Sequence, residues 1–188
     1  QDAWLRVCVP VSLRSPAHDR LPAANVVSMV FLDRRGRDAQ GAGPLLSWVH
    51  GQMQRTKRLG LGPVFVHSVG VCRRLPGGLE QMCQNSRCMS TAVFSNWGVL
   101  FQATPWSGGR SGVVGDSLVL EAVDVFAPLR PLTCAAFCAL TYSKRLSLTL
   151  HYDSRVLATG QAVELIDGFV DRVRRSAAPD GRSTQGGA

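Results

Sequence analysis

The sequence predicts an α/β fold, a sandwich-like lobe in which a mixed sheet is flanked by helices. Three observations lead there. Strand-like and helix-like segments intermix without strict alternation. The last third of the chain runs strand, strand, hairpin, strand, helix. The 188 residues are 45% hydrophobic, enough to build the core of one domain or of one large lobe.

Residues 4–13 read as a strand, with Pro10 implying an edge or an end. Arg14 follows, then a loop holding Pro16 and Pro22. Asn25 opens a second strand over 26–32, which closes in the polar turn Asp33-Arg34-Arg35-Gly36. Pro44 suits the first turn of a helix. Leu45, Leu46, Val49 and Met53 give that helix one apolar face, Arg55, Lys57 and Arg58 crowd its far end, and Gly60 and Gly62 stop it. A second helix is predicted over 63–74, ended by Pro76-Gly77-Gly78, and a short third over 79–84.

Residues 91–94 read as a short strand, followed by the polar pair Ser95-Asn96, then Trp97 and Gly98. The glycine- and serine-containing stretch 105–112 reads as a loop. Residues 117–126 are almost wholly apolar and read as a strand, broken off by Pro128 and Pro131. Residues 133–142, a run of small side chains, suit a crowded sheet interior. Ser143-Lys144 turns the chain. Leu146, Leu148, Leu150 and Tyr152 then alternate with Arg145, Ser147, Thr149 and His151, a period of two that predicts a strand with one wet face. The closing helix, about 159–176, carries Ala162, Ile166, Phe169, Val170 and Val173 as its buried stripe. The lobe is expected to span 1–177. Residues 178–188, rich in Gly, Ser and Pro, are expected to be a disordered tail.

The net charge is +8, mostly arginine. A basic surface suits nucleic acid or an acidic cofactor such as a CoA thioester. Basic residues neither cluster in long runs nor interleave with aromatics, so nucleic acid is not an expected partner. The six cysteines form no Cys-x-x-Cys pair and no histidine stands at a finger-like spacing, so no metal site is expected. Cys8, Cys134 and Cys138 lie in apolar runs. Cys83 and Cys88 bracket a polar segment and could pair or bind metal, though neither is expected. Reduced thiols in the cytoplasm are the expected state. No stretch is long enough for a transmembrane segment and no signal peptide is visible. The chain starts at Gln1 and enters a strand within three residues, so a piece of a longer chain, or a truncated reading frame, is expected.

An apolar strand, then two compact polar side chains, then a glycine is a common way to hold functional groups at a sheet's rim. The plainer alternative is that Ser95 and Asn96 close a turn. The order of signals weighs on that choice: Val9-Pro10-Val11-Ser12-Leu13-Arg14, Asn25 opening a strand, a long helical crossover, Phe94-Ser95-Asn96-Trp97-Gly98, Leu140-Thr141-Tyr142-Ser143-Lys144-Arg145-Leu146, and a closing helix. Over nearly all of residues 4–176 this resembles the C-terminal half of the CoA-dependent acyltransferase superfamily, which includes chloramphenicol acetyltransferase, peptide-synthetase condensation domains and wax ester synthase-type alcohol acyltransferases.

The resemblance implies one of two similar lobes enclosing a tunnel, and transfer of an acyl group from a CoA or carrier-protein thioester to a small hydroxyl or amine acceptor. No bound cofactor is implied; the thioester is a co-substrate. The family's catalytic H-H-x-x-x-D-G lies in the other lobe, where its second histidine takes the acceptor's proton. Here His18, His50, His67 and His151 are isolated, and none is followed four residues later by Asp-Gly. No catalytic residue is therefore expected in this chain, and the isolated chain is expected to be inactive. The resemblance places Ser95 and Asn96 near the reacting carbonyl as oxyanion donors and Gly98 beside them, with Trp97 walling the acceptor side or lying in the core. It makes Arg14 and Asn25 inter-lobe or structural positions. Ala24 stands where the family usually has glycine, as does Lys144. The expected partner is the missing N-terminal lobe or a second copy. The alternative is a non-catalytic remnant serving as a binding or structural module.

Overall fold

A mixed five-stranded sheet organises residues up to Asp153, in the order β2-β1-β3-β6-β7. The computed structural model describes residues 3–18, 20–21, 25–39, 41–84, 89–102, 112–114 and 118–177. The strands are β1 (Trp4–Ser12), β2 (Val27–Arg35), β3 (Ala92–Val99), β6 (Ala135–Tyr142) and β7 (Arg145–Tyr152). Two-residue strands β4 (Val113–Val114) and β5 (Leu118–Val119) form a separate antiparallel pair. β1 and β6 both run parallel to β3, and β2 and β7 are antiparallel edges. The α/β class and mixed sheet agree with the sequence. The expected disordered tail at 178–188 lies outside the described residues, as do Cys88 and most of the loop 105–112.

The core lies under the three inner strands, β1, β3 and β6. Cys8, Val93 and Ala136 are buried together, with Met29, Phe31, Ala127 and Leu129 packed against them. β6 is buried almost throughout, and its small residues, Ala135, Ala136, Cys138 and Ala139, let neighbouring strands and the covering chain approach closely.

Three helices link β2 to β3: α1 (Ala42–Arg58), α2 (Val64–Arg74) and α3 (Gly78–Gln84). α1 ends as its glycine predicts. Gly60 takes φ +61°, its N–H bonds Lys57 O at 3.2 Å, and the Leu61 N–H bonds Thr56 O at 2.9 Å. These two bonds satisfy carbonyls that the helix end leaves open. Phe65 of α2 meets Phe31 edge-on at 5.8 Å, and Arg34 lies over the Trp48 ring at 4.7 Å. Leu46, expected on the buried face of α1, is 62% exposed; Trp48 takes that role as the partner of Arg34.

Two further expectations change. Asp33 to Gly36 was expected to be a turn, but β2 continues to Arg35. Asp33 is held in the strand by Arg6, whose Nε donates to Oδ1 at 2.5 Å, and that bond raises the guanidinium pKa above its ordinary value. Residues 117–126 were expected to be a strand; among the described residues of that range only Leu118–Val119 is one. The rest crosses the face of the sheet, because β7 side chains capture two of its backbone carbonyls and one carboxylate. Ser147 Oγ donates to Asp124 Oδ1 at 3.3 Å, Thr149 Oγ1 to Val125 O at 2.5 Å, and His151 Nδ1 bonds Ala127 O at 2.9 Å. A carbonyl only accepts, so Nδ1 carries the His151 proton. The polar face of β7, expected to be wet, is thus a row of side-chain donors that straps this segment down.

β6 and β7 are joined by a two-residue turn, with Ser143 at φ +48° and Lys144 at φ +64°. Both angles match the twist that tight hairpins prefer, but they suit glycine and asparagine. Lys144→Gly is expected to stabilise the chain by about 1 kcal/mol, the left-handed penalty lifted less the added freedom of the unfolded chain. Thermal melts should show a rise of about 2–4 °C; a fall would mean that the lysine side chain holds the turn.

Residues from Ser154 on form a second unit. Its helix α4 (Thr159–Ala177) starts with the Ala158 N–H bonded to Gln161 Oε1 at 2.9 Å, a reach-back that caps the first turn. Ala162 is buried and Ile166, Phe169, Val170 and Val173 are half-buried, the predicted stripe. No helix among the described residues is long and apolar enough to cross a membrane.

Candidate ligand site

The site begins with a proline. The Arg6 C=O accepts the Thr91 N–H at 2.8 Å and the Arg6 N–H bonds Thr91 Oγ1 at 3.2 Å, so the backbone polar groups of Arg6 face β3. Strand alternation turns the backbone of Cys8 and Pro10 the same way. Pro10 has no N–H to offer. The parallel ladder accordingly ends after Val7↔Ala92 and Cys8↔Val93, while β1 stays paired to β2 through Ser12. Pro10 therefore marks an end, as expected, but the end of one ladder rather than of the strand.

Beyond that break, at the carboxyl ends of β1 and β3, lies a cavity of about 600 Å³. Ligands commonly bind in crevices outside the carboxyl ends of parallel strands. Pro10, Val11, Ser12, Val27 and Met29 line it from β1 and β2, and Val93, Ser95, Asn96 and Trp97 from β3. The strapped segment closes it with Phe126, Ala127, Pro128 and Arg130. The volume lies in the range of small-molecule sites.

The predicted residues mostly meet here. Ser95, Asn96 and Trp97 line the cavity, and Asn25 joins them from just before β2. Arg14 does not; it follows β1, exposed, with its N–H bonded to Ser12 Oγ at 3.2 Å. Ser95 and Asn96 were expected at the end of a strand closing at Phe94. They lie inside β3, opposite Cys138 and Ala139, and the register shifts between Asn96 and Val99. The sharp turn falls at Gly98, with φ +66°, whose N–H donates to Asn96 Oδ1 at 2.9 Å. Asn96 thus spends its oxygen on the local turn. The Ser95 hydroxyl, half-buried, makes no hydrogen bond among the described residues. Trp97 is 54% exposed, a wall of the cavity and not a core residue.

Sequence reasoning missed Arg130. Its Nη1 lies 3.7 Å from Met29 Sδ, and its charge reaches Cys8. Burial pushes the Cys8 thiol up from its ordinary pKa and the Arg130 cation pulls it partly back; the net shift is upward, so the thiol is neutral at physiological pH. The bracketing Pro128 and Pro131 were the one available signal for Arg130, since they stiffen the chain on either side of it. Among the described residues, no three His, Cys, Asp or Glu side chains come together to hold a metal ion. Compared with models of known protein families the chain matches none, and no curated protein sequence matches it.

Proposed function

We propose that this chain is the C-terminal, tunnel-forming lobe of an acyltransferase that moves an acyl group from a CoA or carrier-protein thioester to a small hydroxyl or amine acceptor. The observation that carries this reading is that Ser95, Asn96 and Trp97, expected to bind substrate, line one cavity at the carboxyl ends of the parallel strands, where Asn25, expected to be an inter-lobe or structural residue, joins them. In this reading the cavity is this lobe's share of the tunnel. The Ser95 hydroxyl donates to the thioester oxygen as it gains charge, and Trp97 walls the acceptor side. The general base belongs to a partner lobe, and the protein works in the reducing cytoplasm.

The exposed apolar residues at the same end of the sheet suit such a partner. Trp97 and Val99 at the end of β3 and Phe101 just beyond it are exposed, and Leu118 and Phe126 are 70% and 65% exposed. Phe101 meets Tyr142 edge-on, and the Tyr142 hydroxyl bonds Leu120 O, which brings these segments together. An apolar rim of this kind is unusual on a free monomer. A binding module without catalysis is the second reading, favoured by the engagement of Asn96 in its own turn.

The test is thiol release from acyl-CoA with added alcohols, by the 188-residue chain alone and by the chain joined to a lobe carrying the histidine motif. No release alone and release from the joined lobes are expected. Release by the chain alone overturns the assignment of the base to a partner. A folded but inactive two-lobe protein leaves the binding module as the function.

A further inference from the structure

The cavity at the β1–β3 break is apolar over most of its wall, with Val27, Met29, Val93, Phe126 and Pro128 facing it. Arg130 is the one charged side chain among the described residues that line it. Among the described residues, no acidic side chain lines it and Arg130 has no carboxylate partner; the Arg130 guanidinium meets the Met29 sulfur. A guanidinium beside apolar walls with its donors unspent is suited to a planar anion, which it binds through two parallel N–H bonds.

Arg130 is also held in place. Its C=O accepts the Thr133 N–H at 3.0 Å across a turn with Pro131 second and Leu132 third. Leu132 takes φ +66°, a conformation that a leucine adopts only where its surroundings insist. Thr133 is buried, and on the other side Leu129 packs on the core beside Cys8. The strained residue therefore sits in the turn that begins at Arg130.

We infer that the cavity recognises an amphipathic monocarboxylate, its apolar body against Val27, Val93 and Phe126 and its carboxylate on the Arg130 guanidinium. One cation matches one negative charge, whereas a diphosphate or a polyanion needs several. The inference deepens the acyltransferase reading by naming the class of acceptor, a hydroxy or amino monocarboxylate, since the carboxyl of a thioester-bound acyl group carries no charge for Arg130; it rests on that reading only for the ligand's being a reactant.

The test is calorimetric titration of the 188-residue chain with octanoate, 1-octanol, octylammonium and octyl phosphate at pH 7. Octanoate is expected to bind about tenfold to a hundredfold more tightly than 1-octanol, the range of a charge-assisted hydrogen bond, and octylammonium not at all. Arg130→Gln should lower octanoate to the level of 1-octanol and leave 1-octanol unchanged, which also shows that the cavity is intact. Arg130→Lys should retain part of the preference. Equal binding of octanoate, 1-octanol and octylammonium, or an unchanged preference in Arg130→Gln, overturns the inference. Octyl phosphate binding more tightly than octanoate overturns the carboxylate assignment. Because binding is read without turnover, this result stands apart from thiol release: an inactive two-lobe protein that still binds octanoate through Arg130 sinks the acyltransferase reading alone.

Discussion

Ser95→Ala in the two-lobe protein is expected to lower the turnover number about a hundredfold to a thousandfold, the usual cost of removing one oxyanion donor, about 2.7–4 kcal/mol. The Ser95 hydroxyl lines the cavity and makes no hydrogen bond among the described residues, so folding loses little with it. Asn96→Ala is expected to behave in the opposite way. Its Oδ1 accepts the Gly98 N–H at 2.9 Å, and breaking that bond costs about 0.5–1.5 kcal/mol of stability. Turnover of the folded fraction should then stay near normal. Melting curves beside kinetics on both variants read the two effects separately. A Ser95→Ala protein that melts early but turns over normally would reduce this stretch to a strand with a bulge.

Gly112→Ala is expected to destabilise the chain by about 2–5 kcal/mol. Gly112 holds φ +85°, where a Cβ costs about 1–2 kcal/mol. That Cβ would also stand 2.8 Å from the Tyr142 hydroxyl and 3.3 Å from Leu120 O. Tyr142 is a rigid ring, 6% exposed, whose hydroxyl donates to Leu120 O at 2.6 Å, so it has no free end to swing aside. Overpacking of this kind adds about 1–3 kcal/mol. The bond it disturbs fixes the start of the segment that closes the cavity. Gly98→Ala is the control. It shares the positive φ, at +66°, but a Cβ there meets nothing within 4 Å, so the backbone penalty alone applies. Chemical denaturation of both variants measures the difference. Equal losses would show that Tyr142 yields and that the contact is not a constraint.

Much of the framework was legible because it is local. The alternation 145–152, the small residues of β6, the turn at Ser143-Lys144, the glycine stop of α1 and the stripe of α4 each follow from a spacing or from a backbone angle that few residues tolerate. Ser95, Asn96 and Trp97 were chosen from a pattern that also survives in the folded chain, although β3 runs through them to Val99.

What the sequence by itself could not determine depends on partners distant along the chain. Residues 117–126 have strand composition, yet most of them form no strand, because Ser147, Thr149 and His151 of β7 take up groups of the covering segment from across the sheet. Pro10 is visible in any reading, but whether its missing N–H matters depends on which neighbour that position faces, and register alone sets this. Arg130 reads as a loop arginine between two prolines. It becomes the charge of a cavity because the strapped segment carries it from β7 across to Met29 on β2. Local propensity fixes where the backbone bends; hydrogen bonds between residues some 20 to 100 positions apart decide which side chains then share a wall.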